Sequence, residues 1–109
     1  MTETAIWFPA SYEESRTRFR QNLERVRQRW PNAHLGQHRL AGEEDLTIDW
    51  LQADAVERCE RLLLITTGEH GIETYVGAAM LQLLIDDYLE RLDPKTTGLL
   101  FVHAINPWA

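Results

Sequence analysis

The chain has 109 residues, 44% of them apolar and 26% charged, with a formal net charge of −6. This balance excludes collagen-like, disordered and membrane-spanning classes, and the length fits one domain over residues 1–109 with a core of its own. The charge is unevenly spread: residues 1–32 carry +2 and residues 33–109 carry −8, so most of the chain would repel nucleic acid.

The one cysteine, Cys59, cannot form an internal disulfide, and the amino terminus lacks the basic start and long apolar run of a signal peptide. A reducing, cytoplasmic setting is expected, with no membrane partner. Over residues 11–30, Tyr12, Phe19, Leu23, Val26 and Trp30 recur at the spacing of one helical stripe. Ser11 with Glu14 makes a capping box, and Pro31-Asn32 stops the helix. Six arginines share this segment with Glu13, Glu14 and Glu24, and the helical register spreads them over a solvated face rather than a nucleic-acid surface.

Two short strands follow, over 34–40 and 46–51, joined through Ala41-Gly42-Glu43-Glu44-Asp45 as a hairpin. Leu62-Leu63-Leu64-Ile65 is an unbroken apolar run, the pattern of a parallel strand buried on both faces. A helix is predicted over 72–92, with Tyr75, Val76, Ala79, Met80, Leu83, Leu84, Tyr88 and Leu92 on its apolar face. Gln82, Asp86 and Glu90 form a solvent-facing row on the other side. After Asp93-Pro94, Leu99-Leu100-Phe101-Val102 reads as a second fully buried strand. Strand, helix, strand at this spacing is a right-handed βαβ unit, and ligands of such sheets bind beyond the carboxyl ends of the strands.

Two polar clusters fall at those ends. In Gly68-Glu69-His70-Gly71-Ile72-Glu73, an imidazole and a carboxylate stand three apart where a strand turns into a helix, a spacing that can aim both at one zinc ion. The helix dipole there favours the neutral, metal-binding imidazole, and Gly71 permits close approach. His-x-x-Glu also arises by chance, and an ordinary helix start explains it equally. In His103-Ala104-Ile105-Asn106-Pro107-Trp108, His103 either faces the same crevice or is a hydrogen-bonded strand-end histidine, and Asn106-Pro107 opens a turn.

With both clusters in view, residues 62–108 resemble the start of a zinc carboxypeptidase of the carboxypeptidase A and aspartoacylase superfamily. The similarity is greatest to a bacterial branch of undefined function, which shows Gly-x-His-Gly-x-Glu and His-Ala-x-Asn-Pro-Trp-Gly at these places. The resemblance implies an α/β fold: N-terminal helix, β-hairpin and βαβ unit, forming the first part of a mixed-sheet, three-layer domain. It implies one zinc ion held by His70 and Glu73, with Gly71, His103 and Asn106 lining the site, and hydrolysis of a peptide or acylated amino acid. Thr74 and Ala109 depart from the glycines usual in that branch. The branch's third ligand, its substrate-carboxylate arginine and its general-base glutamate find no match within residues 1–109. The expectation is therefore an N-terminal part, inactive alone, with His103 a candidate third ligand that the resemblance does not assign. The alternative is a non-catalytic module that pairs with itself or another chain through an exposed sheet edge.

Overall fold

In a computed structural model, the described residues are 11–40, 46–67 and 73–104, those at 73–75 by backbone alone. Helix α1 (Tyr12–Arg27) is followed by strands β1 (His34–Arg39), β2 (Thr47–Ala53) and β3 (Arg61–Thr66). Helix α2 (Glu73–Asp87), a 3-10 turn (Leu89–Arg91) and strand β4 (Thr97–His103) complete the order. The strands form one mixed sheet in the order β1-β2-β4-β3. The β1–β2 and β2–β4 pairs are antiparallel, and β3 runs parallel to β4. The α/β class, the hairpin and the strand-helix-strand unit thus agree with the sequence pattern. The hairpin's turn, 41–45, lies outside the described residues.

Local chemistry accounts for α1 directly. The Ser11 side chain, on an extended backbone, accepts from the Glu14 amide at 3.1 Å and so satisfies one of the donors a helix start leaves open. Phe19, Val26 and Trp30 from the stripe are buried, and Leu23 packs against them. Trp30 also donates its indole N–H to the Thr97 carbonyl at 2.8 Å, tying the end of α1 to the start of β4.

Period-two alternation sets the sheet's inner face. Thr47, Asp49, Leu51 and Ala53 of β2 are buried together, as are Thr97, Leu99, Phe101 and His103 of β4. Against them pack Phe19 and Val26 from α1 and Leu81 and Ile85 from α2, so both helices cover the same face.

On the opposite face β3 departs from the expectation of a strand buried on both sides, while Leu100 and Val102 of β4 are partly covered. Leu62 and Leu64 of β3 are 59% and 55% exposed, because both described helices pack on the other face of the sheet. An unbroken apolar run reports the hydrophobicity of both strand faces, not whether another layer reaches the second one. Trp50 lies along this face over Gly36, where an added Cβ would meet the indole at 2.1 Å.

The face of α2 also differs from expectation. Of the expected face, Ala79 is buried and Leu84 and Leu92 pack against the core, but Val76, Met80 and Tyr88 are about half exposed or more, and Ala78, Leu81 and Ile85 are buried in their place. Gln82 and Asp86, expected in solvent, meet α1 instead: Gln82 exchanges hydrogen bonds with Asn22, and Asp86 pairs with Arg25. A helix that is apolar on nearly every side has no unique stripe, so its rotation is set by these polar partners.

Candidate functional site

The parallel β3–β4 pair runs in register from Arg61↔Thr97 to Thr66↔Val102, so the two strands end side by side. Thr67 closes that end, with its amide and its hydroxyl both donating to the Val102 carbonyl at 3.0 Å. Helix α2 returns close above it. A Cβ added at Gly77 would stand 3.3 Å from the Thr67 Cβ, so a small residue at 77 is what allows the helix to sit this near the exit of β3.

Glu73 is the first residue of α2, the position at which a carboxylate suits the helix dipole. Its side chain, His70, Gly71 and Asn106 lie outside the described residues. Among the described residues, no three of His, Cys, Asp and Glu gather as a metal-binding group. An imidazole and a carboxylate are nonetheless fitting zinc donors in kind.

His103 is fully described, and it points into the core beneath α1. It is 1% exposed, its Nε2 lies 2.6 Å from the Ser15 hydroxyl, and its ring stacks on Phe19 with centroids 5.3 Å apart. Tyr12 covers it from another side at 5.9 Å. Nδ1 is buried without a hydrogen-bond partner among the described residues. A metal approaching Nε2 would have to displace Ser15. Burial drives the His103 pKa down to about 4; Asp49 and a hydrogen bond with the residue's own backbone oppose the shift, while Arg16 and Arg20 reinforce it. The imidazole is therefore neutral at pH 7.

Asp49 stands directly opposite His103 on β2 and is itself completely buried. Its carboxylate accepts from Arg20 Nε and from the Thr47 hydroxyl, each at 2.5 Å. The Tyr12 phenol donates to the Thr47 carbonyl at 2.8 Å and accepts from the Thr47 amide at 2.9 Å. The arginines of α1 and of the turn after it are thus only partly a solvated face. Arg20 holds a buried carboxylate, Arg25 pairs with α2, and Arg29 donates to the Leu89 carbonyl at 2.8 Å.

Sequence reasoning missed Ser15, Thr47 and Asp49. The available signal was their phase: Ser15 is four residues before Phe19 on the buried side of α1, and Asp49 shares the alternation of Leu51 and Ala53. A polar residue at a core phase calls for a buried partner.

A model of a protein family of unknown function, DUF2817, matches residues 8–109. The chain belongs to this family. No curated protein matches it. The family match spans both polar clusters, those around His70 and His103, together with every described strand and helix. No helix among the described residues is long and apolar enough to cross a membrane.

Proposed function

We propose that this family member contributes to a zinc-dependent, carboxypeptidase-like hydrolase of peptide or amide bonds, with His70 and Glu73 as metal ligands and Gly71 and Asn106 lining the site. The observation that supports it is the parallel β3–α2–β4 unit. Its two strand exits are adjacent, and Glu73 begins the helix between them, which is where open α/β sheets bind ligands. Zinc held there would supply Lewis-acid polarisation of a substrate carbonyl. The chain's own part is to supply an imidazole and a helix-start carboxylate three residues apart in the sequence. His103 is given no ligand role in this reading, because Ser15 occupies its Nε2. The substrate class is a peptide or an acylated amino acid, met in the cytoplasm.

Elemental analysis after equilibrium dialysis against buffer that contains zinc tests the reading, since two protein ligands hold the ion less firmly than a complete site. One zinc per chain is expected for the unmodified protein and for His103→Gln, and none for His70→Ala. Absence of zinc from the unmodified protein contradicts it.

A second reading is favoured by a separate observation. Among the described residues, strand β3 is an edge of the sheet that pairs on one side, and it carries no charge, proline or glycine from Leu62 to Ile65. With Leu62 and Leu64 more than half exposed, it has the features of an unprotected edge that pairs with another strand. A non-catalytic interaction module follows from this reading. It predicts a mass in solution that rises with concentration and returns to that of one chain in Leu64→Lys.

A further inference from the structure

The His103 neighbourhood is built more tightly than a strand-end packing residue requires, and nothing in the zinc reading uses it. We propose that His103 is an acid-operated latch that holds the first half of α1 against the end of β4 and lets it open when the ring takes a proton. The inference does not rest on the zinc reading.

The geometry carries the argument. One ring nitrogen is engaged by Ser15 of α1, and the other is buried without a well-formed hydrogen bond among the described residues, the residue's own backbone being the one acceptor that favours a proton there. The imidazolium needs two acceptors, so protonation adds a buried donor and a buried charge at once. The space beside the ring is a cavity of about 10 Å³ lined by Ser15, Arg18, Phe19, Asn22, Gln82 and neighbouring apolar side chains, room for no more than one water molecule. At most one water reaches the ring while α1 is in place, fewer partners than an imidazolium has in solvent.

The surrounding charges do not rescue it either. From α1, Arg16 and Arg20 act against the proton, and Arg18 lines the cavity. From β2, Asp49 is the one anion among the described residues that acts on the ring, and its two oxygens are already committed to Arg20 and Thr47. From α2, Ala78, Leu81 and Gln82 line the cavity, and none of them ionises. The phenol of Tyr12 is bonded to β2.

Opening α1 relieves all of this. Tyr12, Ser15 and Phe19, which enclose the ring, lie in the first half of the helix, whereas Val26 and Trp30 pin the second half into the core. Acid therefore loosens residues 12–19 and leaves the rest of α1 seated.

Amide hydrogen exchange along α1, corrected for the intrinsic pH dependence of exchange, tests the latch. With a ring pKa of about 4 closed and the ordinary 6.5 open, protection over residues 15–19 falls about 30-fold between pH 7.5 and pH 5, while that over residues 24–27 changes less. In His103→Gln, which stays neutral, the fall is less than about threefold. Acid sensitivity that persists in His103→Gln and vanishes in Asp49→Asn would assign the effect to the carboxylate and overturn the proposal. Should His103→Gln not fold, the ring's own titration followed by NMR in the unmodified protein decides. A midpoint well below 6 supports the latch, and one near 6.5 with unchanged α1 protection refutes it.

Discussion

Arg20 and Asp49 form an unequal pair, and the inequality makes a quantitative prediction. The Asp49 side chain is 1% exposed and that of Arg20 is 33% exposed. Arg20→Met leaves a buried carboxylate whose remaining hydrogen-bond donor is the Thr47 hydroxyl. Removing one partner of a fully buried pair costs about 3–5 kcal/mol. Because solvent reaches the arginine side, the lower end applies, about 3 kcal/mol. Asp49→Asn keeps an oxygen for Thr47 and turns its NH2 toward Arg20, whose guanidinium can swing out to water, at a cost of about 1 kcal/mol, the low end for a buried donor left unmet. Urea unfolding followed by tryptophan fluorescence reads both. The midpoint should fall roughly three times as far for Arg20→Met as for Asp49→Asn, with unchanged slope. Equal losses, or a larger loss for Asp49→Asn, would refute the view that desolvation of the carboxylate dominates this contact.

Other outcomes follow from the same contacts. Gly36→Ala places a Cβ within 2.1–2.3 Å of the Trp50 ring and should cost about 2 kcal/mol in urea unfolding, with a changed Trp50 emission as the ring lifts. The lowered pKa of His103 makes the unfolded chain bind more protons below pH 6.5. Its stabilising contribution is therefore complete above that pH and is lost as pH falls through about 4, worth up to about 3 kcal/mol. Thermal unfolding across this window should show that slope in the unmodified protein and a flatter one in His103→Gln. Trp30→Phe removes the donor to the Thr97 carbonyl and some buried volume, and should cost about 2 kcal/mol by the same assay.

The fold was legible where one periodicity dominates. The stripe of α1, its Ser11 cap and the parallel β3–β4 unit follow from spacing and turn residues alone. The orientation of α2 was not legible, because Val76, Met80 and Tyr88 are as apolar as the Leu81 and Ile85 that are buried. Its rotation depends on Asn22 and Arg25, more than fifty residues away in the chain. The uncovered face of β3 was equally hidden, since Leu62 and Leu64 read as core residues whatever lies over them. Of the candidate site, the adjacency of the two strand exits was readable from topology. The partners of His103 were not: Ser15 and Phe19 come from an element separated from it by more than eighty residues, and only the polar residue at a core phase hinted at the contact.

The central claim, a zinc site built on His70 and Glu73, is tested most directly by titrating the dialysed chain with zinc against a chromophoric chelator at pH 7.5. The account predicts one site per chain, weakened at least tenfold in both His70→Ala and Glu73→Gln and unchanged in His103→Gln. Affinity that is the same in His70→Ala as in the unmodified chain would contradict it.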